Sequence, residues 1–291
     1  MICGGTLLMP DVVVTAAHCV YNELKQKLPV SSFYISVGDS RYLNEESDTY
    51  KIETINIHPE FDIESLDNDL AIVTLLENIS NQKVTYSKIF NKEVNGDMAV
   101  EAAGWGAVSN ESEKTPETLM SVELRVSFSK NCKALNYLWD ENKKSVCTSN
   151  VNGKDTCFGD SGGPLLYTGD IKRPIVGIIS YGASPEQSEK VECGIDGGVA
   201  YFTNLNYYIP WIKSIPQVFN EDMLFFNDQE NFPQKKDRTE EINNQKLPPN
   251  SKESSSDGLK TTKNGINCVK NGAYILALSK SLFFYAILLL L

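Results

Sequence analysis

Histidine is scarce in this chain: only His18 and His58 occur in 291 residues, so any step that needs a neutral imidazole as base has two candidates. The seven cysteines contain no Cys-x-x-Cys pair, which removes the usual spacing of metal ligands. Positive charge is outweighed, with 27 Lys and Arg against 38 Asp and Glu and a formal net charge of −11. Such a surface repels nucleic-acid phosphates, so no nucleic-acid partner is expected and a soluble, acidic, secreted protein is favoured. No apolar run reaches the ~20 residues of a membrane-spanning helix. The strongest one, at the C-terminus, is interrupted by Lys280.

The length allows one large or two ordinary domains, and the 41% hydrophobic content is that of a globular chain. Cysteines without metal-ligand spacing point to disulfides and an oxidising compartment, each bridge typically contributing ~2–4 kcal/mol. The stretch richest in chemistry is Asp155-Thr-Cys-Phe-Gly159-Asp160-Ser161-Gly-Gly-Pro164. Glycines adopt backbone angles closed to other residues, so this run can turn sharply and aim neighbouring N–H groups at one point. A serine hydroxyl beside such donors is the equipment of acyl transfer, provided that a base takes its proton. His58 precedes Pro59 and is biased to an extended backbone at a strand end. His18, in Val14-Thr-Ala-Ala-His18-Cys19, has a compact setting that can hold an imidazole in one orientation. Asp69 sits where the polar Asp67-Asn-Asp69 loop enters an apolar strand, so its carboxylate can be partly buried and still meet an imidazole N–H. His18, Asp69, Ser161 is the chain order of one known type of serine-protease triad.

On these residues the sequence resembles the trypsin-like (chymotrypsin-fold) serine proteases over roughly residues 2 to 215. The matching pieces, in the family's order, are Cys3-Gly-Gly-Thr-Leu-Leu, Thr15-Ala-Ala-His18-Cys19, Asp67-Asn-Asp69-Leu-Ala, Gly104-Trp-Gly106, Gly159-Asp-Ser161-Gly-Gly-Pro164 and Ser180-Tyr-Gly182. The resemblance implies an all-β fold of two six-stranded antiparallel barrels, with the catalytic groups in the cleft between them and a short C-terminal helix. It implies His18 as base, Asp69 as its orienting carboxylate, Ser161 as nucleophile, and the N–H groups of Gly159 and Ser161 as oxyanion donors. It implies bridges Cys3–Cys19, Cys132–Cys147 and Cys157–Cys193, with Cys268 left over. No cofactor and no metal are called for; the acidic residues between Asp39 and Glu46 are too irregular for calcium. The expected partners are protein or peptide substrates and protein inhibitors of proteases.

Asp155 falls where the family has the base of its primary pocket, and an Arg or Lys side chain would compensate its buried charge. The resemblance therefore implies cleavage after Arg or Lys. Ser180, Tyr181 and Gly182 would hold the substrate backbone as an added strand, and Gly182 would leave the pocket wall open. Ala200 stands in place of a pocket-lining glycine and should tighten the pocket. The loop from Gly182 to Cys193 is longer than usual and carries Glu186, Glu189 and Glu192.

Short β-branched runs read as strands at Asp11–Thr15, Phe33–Val37, Tyr50–Ile57 and Leu70–Leu76, then at Met98–Ala103, Ser121–Ser127, Pro164–Tyr167, Ile175–Tyr181 and Gly198–Phe202. Asn206–Ile215 reads as a helix, with Pro210 acceptable only in its first turn. The protease domain is thus expected over 1–216. Residues 217–270 read as a disordered polar stalk apart from the Met223–Phe226 patch. Residues 271–291 fit a glycosylphosphatidylinositol attachment signal with Asn271 as its site, a retained hydrophobic anchor, or a tail without function. The first two place the protein at the cell surface and in contact with a membrane, and the third leaves it secreted. Asn78-Ile-Ser80 and Asn110-Glu-Ser112 are glycosylation sequons that lean the same way.

The N-terminus departs from the family. Met1-Ile2-Cys3 has neither the basic start nor the apolar core of a signal peptide, and family members carry roughly two dozen residues before the position of Cys3. Those residues include the first barrel strand and an Ile or Val whose freed ammonium pairs with the aspartate matching Asp160. The expectation is a truncated version of a longer protein, with one barrel strand missing and little activity until Asp160 gains its partner. The alternative is a non-catalytic binding or regulatory protein on a protease scaffold.

Overall fold

The computed structural model describes residues 2–37, 40–41, 48–80, 84–110, 115–185, 192–226 and 275–280. Strands β1 (Ile2–Met9), β2 (Val12–Thr15), β3 (Phe33–Ser36), β4 (Thr49–Ile57) and β5 (Ala71–Leu75) come from the first part of the chain. In β3, Phe33 and Ile35 are buried while Tyr34 and Ser36 are half-exposed, the period-two pattern of a strand with one covered face. Strand β5 is apolar at four of its five positions because both of its faces are covered.

These five strands close into a barrel only with a sixth, β14 (Ile275–Lys280), in the order β1-β14-β3-β4-β5-β2. Strand β14 runs antiparallel to both neighbours, from Ile2↔Ser279 to Thr6↔Ile275 on one side and from Phe33↔Lys280 to Ser36↔Ala277 on the other. The gap expected from a missing strand is therefore filled from the far end of the chain, and residues expected in an anchor segment form part of a sheet. Asn271, the Leu282–Leu291 run, Cys268, the 227–270 stalk and the acidic 42–46 stretch lie outside the described residues.

The second barrel uses β7 (Ala99–Gly104), β8 (Met120–Arg125), β9 (Ser145–Ser149), β10 (Pro164–Tyr167), β11 (Ile175–Ala183) and β12 (Val199–Asn204). They pair in the order β8-β7-β10-β11-β12-β9. The curl is closed between β8 and β9 by the Val126–Thr148 bridge and the Ser127 N–H bond to the Cys147 carbonyl (2.8 Å). Two short strands, β6 (Ile89–Phe90) and β13 (Leu224–Phe225), add on in parallel at Ile175, a departure from the all-antiparallel expectation. Helix α1 (Lys130–Leu135) and β9 had no apolar run to announce them. Ser145 and Ser149 flank β9, and it is a strand because β12 pairs along its whole length.

Helix α2 (Leu205–Ser214) is capped by the Asn204 side chain, which accepts from the Asn206 N–H. Its buried stripe of Leu205, Tyr208, Ile209 and Ile212 joins the first barrel's core with Leu7, Val14, Ile35 and Ile72. Each such aliphatic side chain contributes about 1.5–3 kcal/mol by leaving water. Pro210 lies beyond the first turn, contrary to expectation. It is exposed on the helix's outer face, where its ring meets no core side chain.

The folded unit also runs further than residue 216. Met223 has no exposed surface, Leu224 and Phe225 are buried, and β13 pairs with β6, so the boundary falls at Phe226. An apolar patch within polar sequence reads as an accident until a strand edge is found for it. Met223→Ala should lower unfolding free energy by about 2–5 kcal/mol, the range for emptying a buried methionine site. Chemical denaturation checks this, and no loss would mean that the 221–226 segment is not packed.

Candidate functional site

His18 lies on a single 3-10 turn, Ala17–Val20, that follows β2 directly. The Cys3–Cys19 bridge ties that turn to β1. Asp69 immediately precedes β5, in a loop where Leu66 and Asn68 have φ of 58° and 55°. Pairing of β2 with β5 brings the two together, since Thr15 lies opposite Ala71. The Asp69 Oδ2 is 2.7 Å from His18 Nδ1, and its Oδ1 accepts the His18 backbone N–H at 2.9 Å. A carboxylate only accepts, so Nδ1 carries the proton and Nε2 is left as the basic nitrogen.

A third donor was missed by sequence reasoning. Ser180, expected to serve the substrate backbone, buries its hydroxyl and donates it to Asp69 Oδ2 at 2.5 Å. Thr203 Oγ1 holds the Asp69 carbonyl at 2.9 Å, so β11 and β12 of the second barrel grip the carboxylate of the first. Burial alone would push His18 down, and it is the largest single influence on it. The charge and hydrogen bond of Asp69 together outweigh it, and the imidazole titrates above its ordinary 6.5.

Ser161 reaches the same place by a different contact. Its carbonyl accepts the Gly4 N–H at 2.7 Å, and the Gly4 carbonyl accepts the Thr15 hydroxyl at 2.8 Å. Gly162, at φ 80°, has no room for a Cβ, which would strike Thr15 Oγ1 and the Gly4 carbonyl. The Ser161 turn is thereby seated against Thr15 and Ala16, just ahead of His18. Among the described residues no hydrogen bond joins Ser161 Oγ to His18, an arrangement common in the absence of substrate.

Gly159, at φ 98°, makes the bend ahead of Asp160. The Asp160 carboxylate accepts the Gly106 N–H at 2.7 Å and the Cys157 N–H at 2.9 Å. A Cβ on Gly104 or Gly106 would occupy its place, which explains the glycines of Gly104-Trp-Gly106. Burial pushes Asp160 up, the two N–H bonds pull it back only in part, and nearby Asp155 adds to the rise. Asp155 is also pushed up by burial, against N–H bonds from Gly194 (2.8 Å) and Thr156 (2.8 Å) and a bond from Asn150 Nδ2 (2.6 Å). Both carboxylates line a cavity of about 330 Å³ with Gly104, Gly106, Ala107 and Gly194.

Gly182 lies opposite Ala200 in the β11–β12 ladder. A Cβ there would meet only the Val199 carbonyl at 3.7 Å, an ordinary contact, so the fold does not itself require glycine at this position. Ala200 is buried, and the Tyr181 hydroxyl accepts from Asn136 and is pushed up to about 12, mainly by burial. The bridges Cys3–Cys19, Cys132–Cys147 and Cys157–Cys193 are all formed. Asn78 is exposed. The Asn110 amide clamps the Cys193 backbone, donating to its carbonyl at 2.9 Å and accepting its N–H at 2.8 Å. Glu186 and Glu189 lie outside the described residues.

The family profile described as Trypsin matches residues 1–212. The chain belongs to the trypsin family. Human Kallikrein-8 is 30% identical over 74% of this chain and 77% of its own. A Trypsin from Simulium vittatum is 35% identical over 64% of this chain and 72% of its own. The solved structure of mouse neuropsin, a serine protease expressed in the limbic system of mouse brain, superposes with a TM-score of 0.60 at 26% identity, covering 72% of this chain and 87% of that one. The two-barrel architecture of this trypsin-family serine protease is thus shared with a solved relative.

His18 offers a direct check on its surroundings. Its imidazole should titrate above 6.5 by NMR, and in Asp69→Asn, where burial persists without the charge, the midpoint should fall below 6.5. The linked stability has a fixed sign: it is fully present below the unfolded value near 6.5 and is lost as pH rises through the higher folded value. An unchanged midpoint in Asp69→Asn would mean that the carboxylate is not what holds the proton.

Proposed function

We propose that this trypsin-family protein is a secreted serine endopeptidase that cleaves after Arg or Lys. The observation that carries the proposal is the buried Asp69 carboxylate accepting both the backbone and the ring N–H of His18, which leaves Nε2 as a fixed base. In this mechanism Ser161 Oγ attacks the scissile carbonyl as Nε2 takes its proton, and the imidazolium returns that proton to the leaving amine. Water then repeats the sequence on the acyl-enzyme, with the Gly159 and Ser161 N–H groups holding the oxyanion. Ser161→Ala should abolish both turnover and labelling by a serine-directed phosphonylating probe. Turnover of the wild type should rise with pH through a midpoint above 6.5, because the base must be neutral and His18 is shifted upward.

Asp155 is the proposed reader of the cation. It is a half-buried carboxylate whose described partners are all uncharged donors, and a guanidinium or ammonium would restore its ionised form. The prediction is that Asp155→Ser lowers the preference for basic over aromatic side chains by at least tenfold, on the scale of one charge-assisted bond. A preference unaffected by the change would remove Asp155 from the pocket.

Asp160 plays a positioning part in the same proposal. It is half-buried beside Ser161, and among the described residues only backbone N–H groups bind it. Its partner in the active enzyme is proposed to be an N-terminal ammonium freed by cleavage, which would keep the Gly159–Ser161 turn in its oxyanion-binding shape. Asp160→Ala should lower kcat by about 10²–10³, the effect of one lost oxyanion donor, with KM changed less. Wild-type kcat in that variant would remove Asp160 from the account of activity.

A further inference from the structure

Asn110 is exposed and opens the sequon Asn110-Glu-Ser112, yet its amide is already engaged. Its Oδ1 accepts the Cys193 N–H at 2.8 Å and its Nδ2 donates to the Cys193 carbonyl at 2.9 Å. Both bonds go to the backbone of one residue and close a ring, so the Nδ2 hydrogen in use is the one on the same side as Oδ1. The Cys193 carbonyl shares its peptide unit with the Gly194 N–H, which bonds Asp155 Oδ2 at 2.8 Å. A peptide unit is planar, so fixing its carbonyl also fixes the direction of its N–H. The bridge to Cys157 holds the Cys193 side chain and leaves the rotation of this plane free. Asn110, Asp155, Cys193 and Gly194 all line one cavity.

Glycosylation replaces one hydrogen on Nδ2 by a sugar carbon and turns the side chain into a secondary amide. Such an amide is trans, with its carbon substituent on the same side as the oxygen and its remaining N–H on the opposite side. The cis form, which would keep an N–H beside Oδ1, is disfavoured by roughly two orders of magnitude or more. The sugar therefore takes the place of the hydrogen that holds the Cys193 carbonyl. Clamp and glycan are alternatives at one nitrogen.

We infer that Asn110 is a positioning residue for the Asp155 carboxylate and that glycosylation of its sequon is an off-switch: the bare amide keeps the Gly194 N–H on Asp155, and a glycan on the same nitrogen releases the Cys193–Gly194 peptide. The inference rests on Asp155 being the base of the primary pocket. Glycine tolerates backbone angles closed to other residues, so Gly194, at φ 72°, offers little resistance to a flip of that peptide. A flip turns the Cys193 carbonyl toward an anion in place of an N–H, and the carboxylate is pushed from its position. Substrates with Arg or Lys then lose more than those with an aromatic side chain. Asn78, the other sequon asparagine, is exposed after β5 and does not line this cavity, so a glycan there leaves the cation preference alone.

The experiment uses the activated full-length protein secreted from mammalian cells. Ser112→Ala leaves Asn110 bare, Asn110→Asp keeps the acceptor and loses the donor, and Asn78→Gln is the control. Wild-type protein retained on immobilised benzamidine should carry a bare Asn110 by peptide mapping, with the glycosylated form in the flow-through. A glycan on Asn110 in the retained fraction, or in no fraction at all, overturns the switch. Ser112→Ala and Asn78→Gln should keep at least the wild-type ratio of basic to aromatic kcat/KM. Asn110→Asp should lower that ratio about tenfold, the worth of one hydrogen bond to a charged group, with Tm unchanged. Asn110→Ala, which adds no charge beside Cys193, should move the ratio in the same direction. Hydrogen exchange of the Gly194 N–H reads the clamp without any substrate, and it should quicken about tenfold in both Asn110 variants. Unchanged exchange in both, or an unchanged ratio in both, overturns the inference. If exchange quickens but the wild type cleaves after neither Arg nor Lys, the reading of Asp155 fails first and this one falls with it.

Discussion

A carboxylate with no exposed side-chain surface must be satisfied from within, and Asp69 is satisfied by donors from both barrels. His18 supplies two of them from the first barrel and Ser180 the third from the second. In a buried, low-dielectric setting an unpaired carboxylate would sooner take up a proton than stay ionised. The three short bonds fix the carboxylate in place, and through it they hold the His18 ring and its tautomer. The Thr203 bond to the Asp69 carbonyl fixes the backbone behind the side chain. The two barrels are thus tied to each other at Asp69.

Asp155 and Asp160 are handled differently, and the contrast separates three roles for one residue type. Asp69 has an ionisable partner in His18 and raises that partner's titration. Asp155 and Asp160 have only uncharged donors among the described residues, and both are themselves pushed up. A cation arriving at a group held that way would recover energy that burial has withheld. The motifs hold these carboxylates in different ways. Two flexible glycines shape the turn around Ser161, while Gly104 and Gly106 simply make room for Asp160.

The sequence exposed the site through its motifs and hid the contacts between them. The pairing of His18 with Asp69 was legible because small residues around a histidine and a polar loop entering a strand each leave a local signature. The hydroxyl of Ser180 was not, since whether a serine turns to a substrate or to a carboxylate 111 residues away is decided by strand pairing. In the fold, the strands with apolar runs were legible, whereas β9 and α1 form because of what they pair with or pack on. Pro210 and the Met223–Phe225 patch were misjudged on local grounds. Exposure of one and burial of the other are tertiary outcomes.

Strand β14 joins the barrel's closure to the site. Strand β1 has two edges: one pairs with β2, and the other pairs with β14, with Gly4 opposite Ala277 and Cys3 opposite Leu278. Gly4 is also the residue whose N–H holds the Ser161 carbonyl and whose carbonyl holds Thr15. Whatever fills the outer edge of β1 therefore steadies a strand that directly contacts the Ser161 turn. This constrains the reading of residues 271–291 as an attachment signal, because such a signal is cut away and would take Ile275–Lys280 with it. A mature chain cut before residue 272 must cover the β1 and β3 edges with another strand, since an open pair of edges in a six-stranded barrel exposes unpaired backbone donors and acceptors. Tail removal and barrel closure by β14 are alternatives in any one molecule, and the strand that wins sits two residues' reach from Ser161 through Gly4.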